Sequence, residues 1–341
     1  MQLVSGPKKQ QITIRDVARL SDVSYQTVSR VINNSPNVSP ETRQRVLRAM
    51  RSLNYKPNKA AQMLNTNKSQ IIQVITLEGK FPFNIPLPEA AGKAGYSAIY
   101  AECTMDTFAE TLDTAASRMV DGIILYAPKL DIDDHELLEM CNGIPLVRRD
   151  YAIGSKKITW VGFDQVRATE LAVQHLLDLG HEQIAEVTGD LNAINAHVRH
   201  DTVRKYLKLH GLEAGPYIEG DYTTYERANR SGYECTVELL ARGEPFTALM
   251  VANDSMAIGA LYALYEHGIH VPDEISLISF DNAAHAQFTI PPLTTVNFSF
   301  DVQNKLAFQF LFELIEDPDT KPHQHILLPE LLVRQSTRQI G

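Results

Sequence analysis

From Thr13 to Leu64 the chain reads TIRDVARLSDVSYQTVSRVINNSPNVSPETRQRVLRAMRSLNYKPNKAAQML, and the stop and start signals within it leave few ways to fold. Thr13 offers a hydroxyl to cap a first helix, with Ile14, Val17, Ala18 and Leu20 as its apolar stripe. Ser21-Asp22-Val23 interrupts that helix. Asp tolerates the left-handed backbone that a tight inter-helix turn needs, and Ser24 follows as a second N-cap. A helix from Tyr25 turns Val28, Val31 and Ile32 inward and leaves Tyr25, Gln26, Ser29 and Arg30 on its other side, near the N-terminal end. Ser39-Pro40-Glu41 opens a third helix, an N-cap followed by Pro, and Val46, Leu47, Met50 and Leu53 close a small core. Helix, short turn and polar-fronted helix make a helix-turn-helix, whose second helix reads base edges in the major groove. The plainer alternative is three packed helices with solvated charges.

Charge separates this head from the rest. The 341 residues carry a net −9, yet residues 1–64 hold 11 Lys and Arg against 3 Asp and Glu, leaving 21 against 38 for the remainder. A basic head on an acidic body suits a protein that presents one face to a polyanion. Residues 1–11 are polar, include Gly6 and Pro7, and read as a disordered lead. Three scattered cysteines, Cys103, Cys141 and Cys235, give neither a disulfide framework nor a zinc spacing. No signal-peptide pattern opens the chain and no apolar run approaches the ~18 residues of a membrane span, so the expected location is the cytoplasm, with no membrane partner.

After the third helix comes a strap, Tyr55 to Leu64. Pro57 can begin a helix and Ala60, Ala61, Met63 and Leu64 favour one, but seven or eight residues fall short of the ~12 to 15 that hold a helix alone in water. It is expected to order only against a partner. Residues 65–69, NTNKS, form a polar linker.

From Ile71 the pattern changes to short apolar runs between amphipathic stretches. Strands are expected at 71–77, 97–103, 122–127, 144–147, 160–163, 184–188, 248–252, 275–280 and 293–296, with helices near 108–119, 165–179, 196–210, 225–241, 254–267 and 301–315. Apolar strands separated by helices imply parallel sheets covered on both faces, and about 270 residues favour two lobes over one. Ligands of such sheets bind at the carboxyl ends of the strands. Phe163 and Asp164, then Gly189, Asp190, Asn192, Asn195 and Arg199, then Asn253 and Asp254, then Phe280, Asp281 and Asn282 occupy those ends. Carboxylates, amides, an Arg and aromatic faces suit a sugar, whose hydroxyls need donors and acceptors while its C–H faces stack. Asp164 and Asp254 are equally read as helix N-caps.

The head resembles the lactose-repressor (LacI/GalR) family, with the signature TIxDVAxxxxVSxxTVSRVxNxxxxVSxxTRxRVxxAMxxLNYxPNxxAxxL present from Thr13 to Leu64; Asp22 stands where the family usually has Gly. The resemblance implies that Tyr25 and Gln26 read bases, that Thr13, Ser24, Thr27, Ser29 and Asn33 meet phosphates, and that Arg30 contacts either guanine or the backbone. It makes the strap a hinge helix that pairs with its symmetry mate in the minor groove, with Asn58, Ala61 and Leu64 on the DNA and Leu64 as the wedge. Packing of Leu64 on the body is the alternative.

The body resembles the family's effector domain, itself similar to periplasmic sugar-binding proteins, in VGFDQVRATELAVQHLLDLGHEQIAEVTG, ANDSMAIGALYAL, VPDEISLISFDN, PPLTTV and LLPELLVRQST. By position Arg199, Asn253 and Asp281 match a trio that grips hydroxyls; Phe163, Tyr222 and Phe300 match wall positions, and Asp150 matches a carboxylate of the first lobe. The implied architecture is a head at 12–56, hinge and linker at 57–69, and an effector and dimerisation domain at 70–341. Its first lobe takes about 70–162 and 297–325, its second about 163–292 and 326–341. Prolines at 82, 86 and 88 shorten the first helix of the body, which is expected to start at Pro88. With no leucine heptads before Gly341, a homodimer is expected.

The function implied is a repressor on a pseudo-palindromic double-stranded operator, modulated by a small carbohydrate and needing no cofactor. A second reading in the same fold is a co-repressor protein responding to a purine or a sugar phosphate. A third is a glycosidase using two of Asp164, Asp254 and Asp281, for which no catalytic motif speaks. His197 with His200, and His323 with His325, are spaced loosely like metal ligands but read as solvated histidines.

Overall fold

The computed structural model describes residues 12–33, 35–56, 68–78, 91–130, 132–150 and 155–340. Its contacts divide the chain into two units, Met1–Ser69 and Gln70–Gly341. The disordered lead expected at 1–11 lies outside the described residues, as do the hinge residues 57–64, with Asn58, Ala61 and Leu64 among them, and most of the linker.

In the first unit three helices form, α1 (Ile14–Ser21), α2 (Tyr25–Ile32) and α3 (Pro40–Ser52). Asp16 reaches back at the start of α1 and accepts from both the N–H (2.9 Å) and the hydroxyl (2.8 Å) of Thr13. Asp22 adopts the left-handed conformation at φ 49°, which turns the chain without a glycine. Ser24 then accepts from the N–H of Thr27 (3.1 Å) and Ser39 from that of Thr42 (3.2 Å), each satisfying an otherwise orphaned donor. Val17, Ala18, Val28, Val31, Val46 and Ala49 are the buried centre. Leu20 and Leu47, expected inside, are exposed: three short helices bury only one narrow stripe each, and Ala49 takes the inward place on α3. Arg43 of α3 ties back to the end of α2, donating to the carbonyls of Ser35 (2.6 Å) and Val31 (3.4 Å).

The second unit contains two six-stranded sheets. In the first, β1 (Ile71–Leu77), β2 (Ser97–Cys103), β3 (Gly122–Tyr126), β4 (Leu146–Arg148), β5 (Thr159–Phe163) and β11 (Gln324–Leu327) run in the order β11-β5-β4-β3-β1-β2, all parallel. In the second, β6 (Ile184–Thr188), β7 (Tyr217–Glu219), β8 (Ala248–Val251), β9 (Ser276–Asp281), β10 (Thr294–Asn297) and β12 (Glu330–Leu332) run β12-β10-β9-β8-β6-β7, with only β12 antiparallel to its neighbour. Between the strands lie α4 (Met105–Ser117), α5 (Asp134–Met140), α6 (Gln165–Asp178), α7 (Ile194–Leu209), α8 (Tyr225–Arg242), α9 (Asp254–Glu266) and α10 (Phe300–Glu316). Central strands such as β1, β6 and β8 are buried on both faces, as a parallel sheet requires.

The chain passes from the first sheet to the second after β5, returns through α10 to β11, and crosses again to β12. β5 ends at Phe163 and β11 at Leu327, one or two residues past the expected lobe boundaries. β7, β11, β12 and α5 were not expected. The three strands are short or half-exposed edge strands without an apolar run. α5 did carry a signal, since Asp133 caps it by accepting from the N–H groups of His135 (2.7 Å) and Glu136 (3.1 Å). The helix expected from Pro88 begins, if at that residue, outside the described residues; residues 91–93 are helical. All three cysteines are buried free thiols. Among the described residues no helix is long and apolar enough to cross a membrane, and no cluster of His, Cys, Asp and Glu is arranged to hold a metal ion.

Candidate functional site

On the head, burial of Val28 and Val31 fixes which side of α2 faces outward. Tyr25 is 56% exposed, and Gln26 and Arg30 are exposed beside it. Thr27 and Ser29 are half-buried, while Thr13, Ser24 and Asn33 are exposed. The hydroxyls of Ser24 and Thr27 also bond each other (2.9 Å), so both contribute to starting α2. Among the described residues Arg30 has no ion-pair partner, and Arg15, Arg19, Arg45, Arg48 and Arg51 add positive charge to the exposed surface.

In the second unit the carboxyl ends of the two sheets enclose a cavity of about 620 Å³. Asp150, Phe163, Asn195, Arg199, Tyr222, Asn253, Asp281 and Phe300 all line it. They converge because parallel strands end on one edge: Asp150 follows β4, Phe163 ends β5, Tyr222 follows β7, Asn253 lies between β8 and α9, and Asp281 ends β9.

Their chemistry differs from residue to residue. Arg199, on α7, is held by donating Nε to Gln165 Oε1 (2.8 Å) and Nη1 to the carbonyl of Ala252 (2.7 Å), with its guanidinium 4.3 Å from the Phe280 ring centroid and 5.1 Å from that of Phe298. Burial lowers its pKa, opposed by the pull of Asp281. Asp281 has φ 103° and its neighbour Asn282 φ 54°, two successive left-handed positions without glycine. Burial pushes the Asp281 carboxyl up to about 7, against the Arg199 charge. The Tyr222 hydroxyl donates to Asn195 Oδ1 (3.2 Å), and burial pushes its pKa far above the usual phenol range. Phe163 packs edge-on against Phe300 (5.4 Å between centroids) and tilted on Phe298 (4.8 Å).

Two carboxylates are occupied by the protein itself. Asp150 accepts from Arg148 Nε and Nη2 (3.0 Å each) and from the Ala127 N–H (2.9 Å), so both its oxygens are engaged. Asp254, read above as an N-cap, is buried at the first helical position instead. Asn253 caps α9 by accepting from the Met256 N–H (2.8 Å), while Asp254 accepts from Ser279, from Thr295 (2.8 Å) and from the Ala283 N–H (2.6 Å). Asp164 does cap α6, accepting from the Arg167 N–H (2.8 Å).

Sequence reasoning missed Tyr126, Arg149, Gln165 and Phe298, which also line the cavity. Arg149 stands in the run LVRRD directly beside Asp150, so the strand-end rule would have reached it. Its guanidinium donates Nη1 to Asn304 Oδ1 (2.7 Å) and lies 5.4 Å from the Tyr126 ring centroid; burial lowers its pKa to about 10. At the rim Lys129, after β3, pairs with Asp190, after β6, and the Ile194 N–H donates to the Pro128 carbonyl (3.0 Å), so the two lobes are bonded directly to each other. His200, read as a solvated histidine, is instead buried against Glu186 (3.1 Å), and His323 is half-buried beside Glu313 (3.0 Å).

A helix-turn-helix head on a two-lobed, parallel-sheet body with a polar cavity defines a DNA-binding transcriptional regulator with a periplasmic-binding-protein-like effector domain. The description "Bacterial regulatory proteins, lacI family" matches residues 13–58 and "Periplasmic binding protein-like domain" matches residues 173–337. The chain is 32% identical over 337 residues to the HTH-type transcriptional repressor PurR of Mannheimia succiniciproducens, covering 96% of this chain and 99% of that protein. It is also 32% identical over 333 residues to the lactose operon repressor of Escherichia coli, covering 96% and 90%. The crystal structure of the lac repressor dimer bound to operator and the anti-inducer ONPF superposes with a TM-score of 0.83 at 31% identity, covering 96% of this chain and 100% of that one. The chain belongs to the lacI family of bacterial regulatory proteins.

Proposed function

We propose that this regulator is a repressor that acts in the cytoplasm as a homodimer on a pseudo-palindromic operator in double-stranded DNA, and that a small carbohydrate bound between its lobes modulates operator binding. The observation that carries this is the cavity itself, where Arg199, Asn253 and Asp281 offer hydrogen-bonding groups beside the flat faces of Phe163 and Phe300. Hydroxyls of a sugar suit the first set and its ring the second. Tyr25 and Gln26 read bases, and Arg30 contacts guanine or phosphate. Thr13, Ser24, Thr27, Ser29 and Asn33 meet the backbone, and Asn58, Ala61 and Leu64 of the hinge enter the minor groove. If ligand and operator favour different lobe arrangements, each weakens the other by the same factor, typically about 1 to 3 kcal/mol.

A co-repressor reading, in which a purine or a sugar phosphate tightens operator binding, has support from the similarity to PurR and from the cationic Arg199. Operator affinity measured by anisotropy with and without ligand separates the two readings by its direction. A salt series on the same operator tests DNA recognition: log affinity falls steeply with log salt if several phosphates are contacted, and a flat line, or equal binding to random DNA, would overturn the reading.

A further inference from the structure

Resting on the carbohydrate reading of the cavity, we propose that Glu186 and His200 form a second, deeper polar contact within it, and that the ligand is a carbohydrate of at least two sugar units. Both side chains line the cavity and both are more than nine-tenths buried. Glu186 interrupts the apolar strand β6 on the face that carries Ile184, and His200 lies on α7 in the layer that Val203 and Leu207 fill. His200 Nδ1 meets Glu186 Oε1 at 3.1 Å, and the Tyr217 ring lies against the imidazole with centroids 4.5 Å apart, so the imidazole is held from two sides. The remaining polar atoms, Glu186 Oε2 and His200 Nε2, make no hydrogen bond among the described residues, and neither is sealed off from open space. Whichever ring nitrogen carries the proton, Nε2 is left to accept from or donate to a hydroxyl, and the carboxylate oxygen accepts from one.

Strand register sets this contact apart from the group at Arg199, Asn253 and Asp281. Glu186 pairs with Met250 of β8, and Met250 with Ile278 of β9, so the three stand in one row across the sheet. Asp281 ends β9 three residues beyond that row, which is about 10 Å further along the strand at about 3.3 Å per residue. Two strand spacings, again about 10 Å, separate β6 from β9 across the sheet. Met250, in the row of Glu186, also lines the cavity, so the opening continues down to that level. One sugar ring engages one group or the other, whereas a second ring joined to the first brings hydroxyls to both. Packing alone would favour two apolar side chains here, because desolvation of a buried carboxylate and imidazole offsets most of their attraction.

Isothermal titration of the full-length protein tests this with glucose and galactose beside four disaccharides built from them: maltose, cellobiose, lactose and melibiose. The expected result is that one disaccharide binds about tenfold or more tightly than either of its component sugars. Glu186→Leu combined with His200→Leu should melt no lower than the native protein and should reduce that disaccharide to the affinity of its component sugar. If the leucine pair does not fold by circular dichroism, His200→Gln, which keeps a donor for Glu186 but withdraws the ring nitrogen, should lower the same affinity. An unchanged disaccharide affinity in a folded variant, or component sugars that bind as tightly as the disaccharides, overturns the second contact while leaving the cavity as a carbohydrate site. No heat from any of the six sugars overturns the carbohydrate reading and the second contact together.

Discussion

Asp281 concentrates the cost of the cavity in one residue. Its left-handed backbone costs on the order of 1 to 3 kcal/mol, a strain that persists where the surrounding fold over-determines it. Its carboxyl titrates near 7 in place of the ordinary 3.8, so the native state holds a proton that the unfolded chain has released. The contribution to stability is therefore fully present below about pH 4 and is lost as pH rises toward 7. Asp281→Asn should stabilise the protein at pH 8, by about 2 to 4 °C for each kcal/mol recovered, and change little at pH 4; thermal melts at the two pH values check the sign. Gly189 is the second decisive residue. A Cβ there would stand 1.7 Å from Cε1 of Tyr222, so Gly189→Ala must push the ring off Asn195. Overpacking of this kind costs roughly 1 to 3 kcal/mol, and ligand affinity should fall with the melting temperature.

At the scale of elements, the head depends on caps more than on core volume. Six buried side chains, the largest of them valines, hold three helices, so each satisfied helix end matters. Ser39→Ala should destabilise the head by about 1 kcal/mol, seen as an earlier melting transition and weaker operator binding, with ligand affinity of the body unchanged. β1, β2 and β6 were legible from sequence to the residue because each is an apolar run bounded by polar signals. β7, β11 and β12 were not, because each spans only three or four residues, too few to show an apolar run, and gains its pairing from the neighbour it lies beside.

For the whole molecule, the two lobes of the body are bonded directly to each other. Lys129 and Asp190 are each about a quarter exposed, and a pair so placed is worth roughly 1 kcal/mol or less. That is enough to bias a two-state lobe equilibrium by a few-fold. Lys129→Met should raise the ligand dissociation rate several-fold, measured by stopped flow, and shift the operator affinity of the unliganded protein; an unchanged off-rate would show that the pair does not restrain opening.

The sequence by itself determined the class of this protein. Cap residues, the left-handed tolerance of Asp22, the basic charge of the first 64 residues and the alternation of apolar runs with helices are local signals, read at short range. The positions at the strand ends, Asn253, Asp281 and Phe163 among them, followed from the rule that parallel strands finish on one edge. What only the tertiary structure decided is how each of those side chains is used. Asp150 is consumed by Arg148, Asn253 caps α9 in place of Asp254, and Arg149 is drawn into the cavity beside Tyr126. These outcomes depend on partners distant in sequence, Ala127 for Asp150 and Asn304 for Arg149, which no local signal names.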